Sequence, residues 1–346
     1  MKLATYKDGS RDGQLVVVSR DLSQAHFATH IANRLQAVLD DWNYLSPQLQ
    51  DISDALNAGR ARHPFPFDPA QCMAPLPRAY QWLHGVAYVP HLELLCRAGG
   101  LELPENLRRE PRLYQGASDD FMGAQDALVC GSEAFGIDFE GQLVVVTGDV
   151  PQGCAADRAI DSVRLLMLGN QLRLRHLAPV PDWLGGSLLD APSTAFSPVA
   201  VTPDELGEDW SRGRVHLNLQ CSWNGRKVGQ CEAQTDMVFH FGQLIAHAAK
   251  TRRLRAGTLL GSGPVSNQGS EKKGQSSWPK GYSSIAEKRA MEIVQDGQAA
   301  TEYMKYGDTL RIEMKQGNGQ SVFGAIEQEV CSPADALEAA AAATGG

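Results

Sequence analysis

The chain has no Cys-x-x-Cys pair, and its seven cysteines, at positions 72, 96, 130, 154, 221, 231 and 331, are odd in number and scattered. That spacing argues against a zinc knuckle or a disulfide framework and reads as a set of buried thiols. No stretch approaches the roughly 18 apolar residues that a membrane helix needs. The opening residues place charges at Lys2, Lys7 and Asp8 where a secretory signal requires an apolar core. A cytoplasmic protein with no membrane partner is therefore expected. Basic residues are also in deficit, 32 Lys and Arg against 40 Asp and Glu for a formal charge of −8, so no global positive field draws nucleic acid, and none is expected as a partner. There is no Gly-x-Ser-x-Gly elbow and no His-Glu-x-x-His. Gly261-Ser262-Gly263-Pro264 does not open a phosphate-binding loop, because no Gly-Lys-Ser/Thr follows.

What is present is an ordinary globular composition: 346 residues, 43% hydrophobic, enough for one large domain and a smaller one. Gln14 to Arg20 has the β-branched density of a strand, and Ser23 to Leu56 carries apolar residues at helical spacing, among them Ile31, Leu35, Val38, Leu39 and Trp42. Pro64, Pro66, Pro69, Pro75 and Pro77 then crowd a segment that neither a helix nor a central strand tolerates. The expected division is a small N-terminal domain over 1–74, a main domain over 75–332 and an alanine-rich tail over 333–346 that frays and ends in Gly-Gly.

The main domain reads as β-rich. Strand signals lie at Leu143–Thr147, Arg164–Leu168, Val215–Gln220, Gly257–Gly261, Thr309–Met314 and Val322–Glu327. Asn224-Gly225 and Gly317-Asn318-Gly319 lie between strand-like runs and supply the positive φ that tight hairpins need. Phe241 to Arg252 is the clearest helix of this half.

Several segments carry groups able to do chemistry. His84 and His91 flank Gly85 and Tyr88 on what reads as a partly exposed loop, where imidazoles serve structural roles as readily as catalytic ones. Asp138, Glu140 and Gln142 alternate into a strand and share one face, a row that can hold a cation or simply be solvated. Asn170-Gln171-Leu172-Arg173-Leu174-Arg175-His176 offers amides and guanidinium groups, and Arg175 can pair with a carboxylate through two parallel hydrogen bonds or belong to a basic surface patch. The small residues Gly261 to Asn267 form a loop whose amides can face an anion.

Taken together these segments resemble the fumarylacetoacetate hydrolase family, especially its bacterial members. The resemblance rests on Gly85-x-x-Tyr88-x-x-His91, Leu113-Tyr114-Gln115-Gly116, Gly136-Ile137-Asp138-Phe139-Glu140, Ala195 to Gly207, Leu244 to Arg252 and Phe323 to Gln328. It implies an α+β, β-rich fold in which a small N-terminal domain precedes a rolled, mixed β-sheet domain, and a homodimer. It also implies cleavage of a carbon–carbon bond beside a carbonyl in a small β-diketo or 2-oxo acid, or a related decarboxylation or tautomerisation. In the family a magnesium or calcium ion held by carboxylates polarises the keto oxygens. The resemblance assigns His91, Tyr114 and Arg175 catalytic roles, as base, carbonyl-polarising phenol and carboxylate clamp. Tyr88 and Ser262 become substrate-binding residues.

At the metal-ligand positions the chain departs from its relatives. His84 stands where the family has an aspartate, Gln142 replaces the second glutamate of a Glu-x-Glu pair, and Gln171 replaces another aspartate; only Glu140 keeps its charge. Ala191 takes the place of a lysine, and Pro264 that of a loop threonine. With that much ligand charge removed, the expectation is an enzyme with no metal cofactor, or at most a weakly bound divalent ion of the softer kind at His84 and Glu140. Two alternatives remain open. One is a non-catalytic member of this fold that binds a metabolite or a partner subunit. The other is a conventional hydrolase in which Asp119, Asp120 or Asp126 restores the missing charge.

Overall fold

A computed structural model describes residues 1–178, 188–272 and 275–344. Its centre is an 11-stranded mixed sheet. In order across the sheet run Phe65–Pro66, Gln24–Phe27, Gln14–Val18, Lys2–Tyr6, Ala200–Val201, Val163–Leu174, Ile137–Thr147, Thr258–Pro264, Gln81–Gly85 and Leu113–Gly116, with Thr194–Phe196 also paired to Val163–Leu174. Most pairs are antiparallel, while Thr258–Pro264 and Gln81–Gly85 run parallel. A second sheet of five strands holds Arg226–Glu232, Asn218–Trp223, Thr309–Met314, Ile326–Cys331 and Leu128–Val129. The fold is mixed and strand-rich, with a small N-terminal unit ahead of the main domain, and neither sheet closes on itself among the described residues.

The N-terminal unit is joined to the main domain by the backbone itself, because Lys2 and Leu3 pair with Val201 and Ala200. Its helices, Leu35–Asp40 and Trp42–Asn57, belong to an apolar cluster with Leu3, Leu15 and Val17 and with Val144, Val146 and Leu165 of the central strands. The helical pattern read from Ser23 starts too early, since Gln24–Phe27 is a strand paired with Gln14–Val18. The turn before it is built from local hydrogen bonds: Ser19 Oγ accepts from the amides of Ser23 and Gln24, and Asp21 also accepts from Ser23.

The central strands extend beyond their apolar runs. Ile137–Thr147 and Val163–Leu174 pair along their length, with Asp138 opposite Arg173 and Glu140 opposite Gln171. Polar residues hid these extensions because sheet pairing supplies the backbone bonds whatever the side chains are. The hairpin at Asn224-Gly225 forms with positive φ at both residues (50° and 71°). The expected strand at Val322–Glu327 moves to Ile326–Cys331, after a turn that needs φ +73° at Gly324. The helix expected to reach Arg252 stops at Ala248. The alanine-rich tail, expected to fray, forms helix Pro333–Thr344, consistent with alanine's high helix propensity; Gly345 and Gly346 lie outside the described residues.

All seven cysteines are free thiols. Among the described residues no helix is long and apolar enough to cross a membrane.

Candidate active site

A cavity of about 280 Å³ opens beside the central strands, and its wall includes His84, Tyr88, His91, Tyr114, Glu140, Arg173, Arg175, Asp190 and Ser262. Neither of the two histidines lies on a loop. His84 sits in strand Gln81–Gly85, opposite Tyr114 of the adjoining strand, and His91 sits in the first turns of helix Val89–Ala98. Pro90 near that helix start lacks only an amide that a helix leaves unbonded there.

Helix Val89–Ala98 packs against helix Ile285–Asp296, which carries Glu287. His91 Nδ1 lies 3.1 Å from Glu287 Oε1, and both side chains are almost fully buried. The approach falls short of an aligned hydrogen bond, and neither atom has another partner among the described residues. The second oxygen of Glu287 accepts from the amide of Ser283, 3.3 Å away. Glu287 belongs to none of the segments that the sequence marks for chemistry. Ser284-x-x-Glu287 ahead of an apolar stretch has the spacing of a helix N-terminus, and Ser284 Oγ caps the helix by accepting from the Glu287 amide.

The polar row on strand Ile137–Thr147 is buried. Asp138 accepts from the amides of Ile285 (2.6 Å) and Ala286 (3.1 Å), so it caps the helix bearing Glu287 and ties it to the sheet. Arg175 donates to Asp138 through Nε at 2.8 Å and to Glu140 through Nη2 at 2.7 Å. The residue expected to clamp a substrate carboxylate is therefore occupied by two carboxylates of the protein, since a guanidinium at this strand end is the nearest compensation for both buried charges. Burial disfavours the Arg175 charge, but Asp138 and Glu140 outweigh it and raise the group above its ordinary range. Burial likewise opposes ionisation of Glu140, yet Arg173 and Arg175 hold its carboxyl at about 2.

The other expected ligands point elsewhere. Gln142 Oε1 accepts from the amide of Gly263 at 3.1 Å, which also removes that amide from any anion. A side chain at Gly261 would collide with the same oxygen, 2.3 Å from its Cβ position. Gln171 donates to the carbonyls of Leu172 and Ser193 and accepts from Thr194 Oγ1, which in turn accepts from Trp82 Nε1. Burial against the Trp82 ring, 4.4 Å away, lowers the imidazole of His84 to about 4 and leaves it neutral at physiological pH. Glu140 is thus gripped by guanidinium groups, the oxygens of both glutamines are bonded within the protein, and His84 is the one neutral donor left. These residues do not fit a hard divalent ion, which needs several free oxygen ligands of net negative charge. Asp119, Asp120 and Asp126 do not restore the charge, because none lines the cavity and Asp126 pairs with Lys7 at the surface.

The two expected substrate-binding hydroxyls are also engaged. Tyr88 donates to the carbonyl of Ala233, and burial pushes its phenol well above the ordinary range. Ser262 donates to the Gly263 carbonyl at 2.7 Å and accepts from the Leu143 amide. Tyr114 differs: it lines the cavity, its oxygen accepts from Arg112 at 3.3 Å, and its own proton has no acceptor among the described residues.

The sequence profile of the fumarylacetoacetate (FAA) hydrolase C-terminal domain matches residues 81–331, and that of fumarylacetoacetase N-terminal domain 2 matches residues 1–78. The chain belongs to the fumarylacetoacetate hydrolase family. Among curated members, it is 28% identical over 176 residues to 2,4-didehydro-3-deoxy-L-rhamnonate hydrolase of Sphingomonas sp. strain SKA58, a match spanning 49% of this chain and 58% of that relative. The fold is also that of fumarylacetoacetate hydrolase from psychrophilic Exiguobacterium antarcticum, with a TM-score of 0.64 at 14% identity over 96% of this chain and 99% of that one. Maleylpyruvate hydrolase from Sphingobium sp. SYK-6, solved with manganese (II) and pyruvate, aligns with a TM-score of 0.62 at 15% identity over 96% and 99% of the two chains.

Proposed function

We propose that this protein is a fumarylacetoacetate hydrolase family enzyme that acts on a small β-diketo or 2-oxo acid without the magnesium or calcium of its relatives. The observation that carries the reading is the His91 imidazole on the cavity wall with Glu287 3.1 Å behind its Nδ1. A carboxylate in that position orients the ring and stabilises the imidazolium formed when Nε2 takes a proton. In the hydrolytic version, water loses a proton to His91 and adds to a carbonyl carbon. The adjacent carbon–carbon bond then breaks with its electron pair delocalised as an enolate, and the imidazolium returns the proton to carbon. Tyr114 donates to the developing oxyanion, the part that a Lewis acid plays elsewhere. Decarboxylation and tautomerisation use the same groups without the added water. Homodimeric association belongs to the same proposal.

The test is turnover of an acylpyruvate and of oxaloacetate by wild type, with and without EDTA, and by His91→Ala. Turnover that survives the chelator and falls on substitution is the expected result. Turnover that appears only with added magnesium overturns the metal-free reading.

A second reading, a non-catalytic member of the family that binds a metabolite or a partner subunit, is favoured by Ala191 and Pro264 on the cavity wall, at positions to which the resemblance assigns a lysine and a threonine. It predicts no turnover by the wild type with either substrate.

A further inference from the structure

With Arg175 committed to Asp138 and Glu140, the oxo-acid reading lacks a cation for the substrate carboxylate. Arg173 is the other guanidinium on the cavity wall. Among the described residues it contacts Asp190 through Nη2 alone, its Nη1 is 4.0 Å from Glu140, and its Nε is buried without a partner. Asp190 is 2% exposed, lines the same cavity, and has no partner for its Oδ1 among the described residues. Its backbone is pinned beside the strand, because its carbonyl accepts from the Leu174 amide at 2.8 Å. A one-point contact thus leaves an empty donor on the fork and an empty acceptor on the carboxylate, both buried, although such groups are ordinarily satisfied.

We infer that Arg173 is the carboxylate-recognising residue of this cavity and that Asp190 occupies its fork in the absence of substrate, making the site selective for a small 2-oxo monocarboxylate or dicarboxylate. The inference rests on the proposed oxo-acid function and names the residue that reads the acid. A substrate carboxylate free to approach the Nε and Nη2 edge makes two parallel hydrogen bonds where Asp190 makes one. Asp190 is thereby a built-in competitor. An uncharged ester of the same acid does not compete with it.

The two residues should respond in opposite directions, which a merely structural ion pair would not do. Calorimetry with pyruvate, oxalate and methyl pyruvate is run on wild type, Arg173→Gln and Asp190→Asn, each first shown to melt cooperatively. Arg173→Gln should weaken pyruvate and oxalate by roughly tenfold or more. Asp190→Asn, an isosteric change that removes the competing charge, should tighten both several-fold. Methyl pyruvate should be indifferent to either substitution. The inference is overturned if Arg173→Gln binds like wild type, if Asp190→Asn weakens binding, or if wild type binds neither acid. Should Arg173→Gln not fold, the sign of the Asp190→Asn effect decides. Intact binding without turnover overturns the catalytic reading alone.

Discussion

Nδ1 of His91 and Oε1 of Glu287 face one another across two packed helices at 3.1 Å, although 196 positions separate them in the chain (287 − 91). The helix carrying Glu287 is held in place by Asp138, which accepts from its first two amides, and Asp138 is held in turn by Arg175. Acid–base geometry and buried ion pairs therefore form one continuous support.

Glu287 acts through His91 as a positioning residue. Glu287→Gln should lower kcat by on the order of 10²-fold while leaving KM nearly unchanged, because the ring loses its orienting charge but the substrate contacts remain. Glu287→Asp should recover part of the loss. Steady-state kinetics of the two variants on one substrate checks both statements, and a matching rise in KM would contradict them.

Removing Arg175 leaves two buried carboxylates without their main counter-charge. Arg175→Met should destabilise the fold by about 3–5 kcal/mol in urea denaturation, and adding Glu140→Gln should return part of that. Equal stability of the single and double variants would mean that Glu140 does not depend on Arg175.

Acid sensitivity has an identifiable source in the helix of Glu287. Against burial, Glu292 is held down to about 2 by Thr301, by the amides of Thr301 and Ala300, and by Lys288. A folded-state value below the unfolded one means that the unfolded chain binds more protons. The contribution is therefore complete above roughly pH 4.5, the ordinary glutamate range, and is lost as pH falls through about 2. Glu292→Gln should flatten the acid limb of a stability-against-pH curve in that window, as melting temperatures measured from pH 7 to 2 would reveal.

Manganese electron spin resonance tests the charge argument at Glu140 without reference to turnover. Wild type should leave the free-ion signal unchanged at micromolar protein. The triple variant His84→Asp, Gln142→Glu, Gln171→Asp should diminish it, because carboxylates return to positions that the resemblance assigns to metal. Quenching by wild type at stoichiometric manganese would show that Arg173 and Arg175 do not block the site.

Patterns local in the chain were legible without coordinates. Thr309–Met314 alternates and pairs as read, Asn224-Gly225 turns a hairpin because its residues accept positive φ, and the period of two places Asp138, Glu140 and Gln142 on one face. Motif resemblance picks out His91, Tyr114, Glu140 and Arg175 without saying what each one faces, and all four line one cavity. What tertiary structure alone decided is the partner of each polar group. Nothing in the sequence states that Arg175 is taken by Asp138 and Glu140, that Gln142 turns to the Gly263 amide, that Tyr88 bonds Ala233, or that Glu287 stands behind His91. Side-chain identity limits what a group can donate or accept. Which acceptor comes within 3 Å is set by strand register and helix packing between distant segments, and that choice determines the charge left over for a ligand.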